Sequence, residues 1–171
     1  MVKRLLGLGA CLAVALMVVG GSVDALVSVG ALAANYSAPG GNVSGYGLEV
    51  EIPLLPLLTT RVDATFASGT NAGGTYNITP VMLNGSYKFP LTPIYVGAGV
   101  GTALFTQVGV TVPSTVIYDV FLGYEQGILP MSSVFIQAGS MNMILNYSIG
   151  GVTINQNMSG TSVKGGVRFG I

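Results

Sequence analysis

The chain has 171 residues, half of them apolar, 26 of them glycine, with only 7% charged and a formal net charge of zero. A soluble surface carries roughly 25 to 35% charged residues, so this composition argues against a water-coated domain. A neutral chain has no basic field for nucleic acid and no acidic one for cationic partners.

Residues 1–25 read as a secretory signal peptide. Lys3 and Arg4 supply the positive start, Leu5 to Val19 the apolar stretch, and Val23-Asp24-Ala25 the small-residue cleavage site, which places the mature start at Leu26. An uncleaved anchor would need about 20 apolar residues, more than this run provides. Leu8-Gly9-Ala10-Cys11 has the outline of a lipoprotein box, but the apolar run continues past Cys11. Cys11 is the only cysteine, so a mature chain from residue 26 would have neither disulfides nor a thiolate metal site, and no cofactor is expected.

From Leu26 onward there is neither a long apolar span nor a helical period. Gly, Thr, Val and Tyr abound between recurrent Pro and Gly clusters, the pattern of antiparallel strands. Eight strands are predicted, at about 26–36, 43–54, 59–68, 75–89, 93–106, 114–126, 132–145 and 160–171. The connections after the second, fourth and sixth are short and contain proline: "PLLPLL", "PLTP" and "GILPMS". Those after the odd strands are rich in Gly, Asn, Ser and Thr, and the longest is expected within 142–160. An up-and-down barrel would collect the first kind at one rim and the second at the other, as an outer-membrane barrel does with periplasmic turns and external loops.

The strands alternate. In the second, Tyr46, Leu48, Val50, Ile52 and Leu54 oppose Gly45, Gly47, Glu49 and Glu51; in the third, Val62, Ala64 and Phe66 oppose Arg61, Asp63 and Thr65. In the fourth, Val81, Leu83, Tyr87 and Phe89 oppose Asn84, Ser86 and Lys88; in the sixth, Tyr118, Val120, Leu122 and Tyr124 oppose Asp119, Gly123 and Glu125. In the last, Lys164 and Arg168 share a face. Twelve charged residues, less Lys3, Arg4 and Asp24, leave nine, all within predicted strands. Four strands hold two charges each and every pair lies on one face, which chance would give about one time in 16.

Alternation alone does not say which face is inside, because a soluble barrel also alternates. The scarcity of charge decides it: nine charged residues would poorly coat a wall facing water, so lipid is expected outside and a polar lumen inside. A lysine or arginine turned to the bilayer midplane would cost about 2 to 4 kcal/mol. The expected lumen set is Glu49, Glu51, Asp63, Asp119 and Glu125 against Arg61, Lys88, Lys164 and Arg168. Eight strands leave room for little beyond side chains, so a structural salt-bridge network is expected, with a selectivity filter along a water path as the functional alternative. Tyr87, Phe89, Tyr124 and Phe169 toward one rim, and Tyr36, Tyr46, Phe66 and Tyr118 toward the other, are expected to form two aromatic girdles.

"PIYVGAGVGTALF" at 93–105 and the closing "VKGGVRFGI" resemble the small eight-stranded outer-membrane beta-barrel family of OmpA-type and opacity-type surface proteins, where a "YVGAGVG" strand and a final glycine-basic-aromatic strand recur. The layout resembles that family over residues 26–171. Such barrels usually finish on an aromatic residue recognised by the assembly machinery, whereas here Ile171 is last and Phe169 lies two residues earlier. The glycines of "GAGVG" precede no predicted helix, so they read as small inward positions of a barrel rather than a phosphate loop.

The expectation is an all-β, eight-stranded antiparallel up-and-down transmembrane beta-barrel in the bacterial outer membrane. A non-enzymatic envelope-structural, adhesive or narrow-pore role is expected, with outer-membrane lipid and the assembly machinery as partners. Two alternatives are a lipid-modifying enzyme, which lacks its usual general base because the chain has no histidine, and a secreted soluble barrel holding a hydrophobic ligand. The sequence identifies no catalytic, cofactor or metal residues and no specific surface ligand.

Overall fold

The computed structural model describes residues 27–39, 41–71, 74–107, 110–111, 115–149 and 152–171. The predicted signal peptide, Cys11 and the cleavage site lie outside the described residues.

Ten strands follow one another: β1 (Ser28–Ala38), β2 (Gly41–Leu55), β3 (Leu58–Asn71), β4 (Gly74–Lys88), β5 (Ile94–Gln107), β6 (Val110–Thr111), β7 (Thr115–Leu129), β8 (Ser132–Ile149), β9 (Val152–Asn157) and β10 (Gly160–Gly170). All pair antiparallel. Eight of them form a closed barrel in sequence order, with β10 completing the ring against both β8 and β1. The two-residue β6 extends β5, and β9 pairs only with β8, so β8 and β9 form a hairpin continuing past the barrel.

The stagger can be followed residue by residue. Ser28, Glu51, Arg61, Asn84, Gly99, Asp119, Met141 and Gly160 lie abreast on successive strands. Thr161 pairs with Ser37, so the row returns to β1 beside Ala38, ten residues above its start. That offset tilts the strands by roughly 40° and leaves an interior that side chains can fill.

The strand bounds agree with the sequence expectation to within a few residues, apart from the far end of β8. Two of the supposed longer connections contain just two residues, at 39–40 and 72–73. The stretch expected to be the longest loop is mostly the β8–β9 hairpin. At the opposite rim, two-residue turns follow β2 and β7, and the turn after β4 is fastened by Phe89 N donating to Ile94 O (3.0 Å) and Thr92 N donating to Phe89 O (3.3 Å). Leu91 and Met131, with φ of 61° and 63°, take the left-handed conformations these tight turns need.

The alternation sorts as expected over much of the wall: Leu48, Leu83, Val120, Leu122, Ile136 and Val163 face outward, and no charged side chain among the described residues belongs to that exposed set. Tyr46, Phe66 and Tyr118 lie on the outer wall toward one rim, and Tyr87, Phe89, Tyr124 and Phe169 toward the other. Tyr36 corrects the expected girdle. It is 3% exposed and points into the lumen, against 73% exposure for Tyr46, because β1 turns Gly30, Leu32, Ala34 and Tyr36 inward.

Candidate functional site

The interior is the part of the molecule with chemistry. Seven of the nine predicted lumen residues are buried: Glu49, Glu51, Arg61, Asp63, Asp119, Lys164 and Arg168; Lys88 and Glu125 face inward at the short-turn rim and are partly covered.

Eight of the nine join in one ladder. At the rim Lys88 Nζ meets Glu51 (3.2 Å) and Glu125 (3.0 Å). Arg168 Nη1 reaches the same two carboxylates at 3.2 and 2.7 Å, while its Nε donates to Glu49. Glu49 in turn faces Arg61 Nε (3.5 Å), which lies 3.9 Å from Asp63, and Asp63 accepts from Lys164 Nζ (2.9 Å). Four acids and four bases thus alternate up the axis. Burial of this kind is tolerable only when each charge is met by another and by hydrogen bonds. Asp119 stands apart, making no ion pair among the described residues.

Neutral groups complete the ladder. Gln137 Oε1 accepts from Arg61 Nη2 (2.6 Å), Asn84 Nδ2 donates to Asp63 Oδ2 (2.7 Å), and Ser133 Oγ donates to Glu125 (2.6 Å). The Arg168 guanidinium lies over the Phe135 ring at 4.0 Å, and Arg61 lies over Phe121 at 5.3 Å. Gln137 and Phe135 escaped the sequence reading because β8 carries no charge to mark its inner face; the parity that places Arg168 inward would have found them once the pairing of β10 with β8 was known.

The inward glycines are where bulky lumen groups lean on the wall. A Cβ on Gly97 would lie 2.4 Å from the Phe121 ring, on Gly101 2.6 Å from Met82 Sδ, and on Gly123 2.0 Å from the Tyr95 ring. The "GAGVG" of β5 is therefore a strip of wall kept bare for neighbours.

Toward the far rim the expectation of a polar lumen is overturned. Tyr36, Val43, Tyr76, Ile78, Phe105, Ile117, Met141, Met143 and Met158 are all buried there, and Tyr76 stacks on Phe105 with centroids 5.5 Å apart. At this level the alternation is reversed: Asn35, Ser44, Asn77, Thr106 and Asn142 face outward, so the polar row that marks the lumen in the ionic half marks the outside here. The cavity among Tyr36, Val43, Ile78, Pro80 and the three methionines measures only about 10 Å³, the size of one water at most. At the short-turn rim an open vestibule of about 190 Å³ is bounded by Lys88, Thr92, Tyr95, Glu125 and Ser133.

A closed eight-stranded antiparallel ring with an apolar outer belt is the fold of the small transmembrane β-barrels known from outer membranes. Similar solved structures include the crystal structure of Neisserial surface protein A (TM-score 0.62, 18% identity, covering 88% of this chain and 99% of that one). The outer membrane protein OprG from Pseudomonas aeruginosa is also similar (TM-score 0.65, 10% identity, 89% and 98% covered), as is the outer membrane protein AlkL determined in DMPC bilayers (0.57, 11%, 89% and 93%). At these identities the likeness is one of fold. No family model matches the chain, and no curated protein sequence matches it.

Proposed function

We propose that this protein is a non-enzymatic barrel of the bacterial outer membrane, a sealed scaffold that holds the β8–β9 hairpin beyond its rim. The fold shared with outer-membrane proteins and the uncharged outer wall with its apolar belt support the location. Outer-membrane lipid is the solvent of that wall on this reading, and the envelope's assembly machinery is the partner that inserts it. The hairpin lies at the end opposite both the short turns and the Ile171 terminus, the end that faces outward in barrels of this type.

The observation that carries the sealed reading is the filling of the lumen. The ion ladder occupies the half near the short turns, and the Tyr–Met–Ile cluster occupies the other, where the cavity among Tyr36, Ile78 and the methionines holds about 10 Å³. A selectivity filter needs a continuous path past its charges, and these charges are engaged with one another across the bore. Reconstitution into a planar bilayer tests this. The expected result is no steady current above the bare-membrane level; reproducible unitary conductance would replace the scaffold with a pore.

A further inference from the structure

The lumen holds five acids and four bases, and the ladder matches four against four. Asp119 is the remainder. It is buried at 5% exposure, and its Oδ1 has no hydrogen-bond partner. Asn84 Oδ1 is also buried without a partner, while its Nδ2 is committed to Asp63 Oδ2 at 2.7 Å.

The barrel register brings these two oxygens to one place. Asn84, Gly99 and Asp119 are abreast on β4, β5 and β7. Gly99 has no side chain, so its neighbours lean over it from both sides: a Cβ there would lie 2.2 Å from Asn84 Oδ1 and 2.4 Å from Asp119 Oδ1. The Gly99 backbone N–H also lies beside the Asp119 carboxylate, but neither Asp119 Oδ1 nor Asn84 Oδ1 has a donor in hydrogen-bonding geometry, so two acceptors converge with no side chain donating between them. Flipping the Asn84 amide offers no remedy, because it would turn the oxygen toward the Asp63 carboxylate instead. The charged groups whose fields reach Asp119 are Lys164 on β10 and Asp63 and Arg61 on β3, and all three are already engaged with one another; the Tyr36 hydroxyl of β1 is the nearby titratable group above them.

We propose that the spot over Gly99 binds one unit of positive charge between Asp119 Oδ1 and Asn84 Oδ1, either a proton carried by Asp119 or an alkali cation. Either occupant supplies the missing partner to both oxygens and makes the lumen electrically neutral.

The test compares the wild-type barrel with Asp119→Asn, in which an amide donates to Asn84 Oδ1 and the surplus charge is gone. Thermal unfolding in zwitterionic micelles is followed over pH, and separately with sodium or potassium replaced by choline at constant ionic strength. A proton bound only in the folded barrel stabilises it at low pH and loses that effect as pH rises. The wild-type midpoint is therefore expected to fall relative to D119N as pH rises if the occupant is a proton, or on choline replacement if it is an alkali ion. Parallel behaviour of the two proteins in both series would overturn the proposal. Should D119N fail to fold, the wild type alone decides: an infrared band of a neutral carboxyl near neutral pH, or sodium-23 relaxation broadened by site exchange, is expected, and the absence of both overturns it.

Discussion

Arg168 touches three carboxylates, those of Glu49, Glu51 and Glu125, and also covers the Phe135 ring. Truncating it to alanine would leave three buried or half-buried anions with only Lys88 and Arg61 to share. Removing one partner of a buried ion pair typically costs about 3 to 5 kcal/mol. Arg168→Ala is expected to lose at least that much in urea unfolding from micelles, whereas an exposed rim substitution should shift the curve little. The inward address of Arg168 was legible in the sequence because Val163, Val167 and Phe169 line the opposite face of the same strand. The address of Tyr36 was not: β1 carries no charge, and the face opposite Leu32, Ala34 and Tyr36 mixes Ala31 and Ala33 with Asn35 and Ser37. Nor was the partner of each glycine, since which ring leans on Gly97 or Gly123 depends on the stagger between strands, a quantity that alternation within one strand does not encode.

Among the elements, the β8–β9 hairpin stands outside the ring that carries the ladder. Its pairing, from Ile144 opposite Asn157 to Ile149 opposite Val152, involves no other strand. At its base Met158 N donates to Met143 O (2.9 Å) and Ser159 Oγ accepts from Met143 N (3.0 Å), which fastens the chain before β10 begins. Replacing residues 145–156 with a two-residue turn is therefore expected to change unfolding stability by about 0.5 kcal/mol or less, in keeping with the tolerance of projecting tips; a loss of several kcal/mol would show that the hairpin braces the barrel. The sequence signalled this region as a long connection because its Gly, Asn and Ser content resembles loop composition. The paired backbone shows that such residues also serve in strands.

For the whole molecule, the decisive property is which solvent the outer wall meets. Val120 sits midway along β7 on that wall, 59% exposed, between Tyr118 and Leu122. Val120→Lys should weaken folding into lipid vesicles by about 2 to 4 kcal/mol, the cost of a cation near the bilayer midplane. An unchanged folding equilibrium would mean that hydrocarbon does not contact this face. The overall architecture was readable because a barrel repeats one rule on every strand, and nine charges sufficed to show it in the ionic half. The apolar plug went unread for a physical reason: near the far rim the polar row of several strands faces outward, so the rule that polar means inward, which holds beside the charges, fails there.

The meeting of β1 with β10 has a consequence for biogenesis. Lys164 and Arg168 are on the last strand of the barrel to be synthesised, while Glu49 and Asp63, which await them, are on the second and third strands. An unfinished sheet thus exposes unanswered anions along an open seam, and only a correctly aligned final segment cancels them. Zippering one residue out of step would turn both cations toward the acyl chains, so the act of closing also proofreads the alignment.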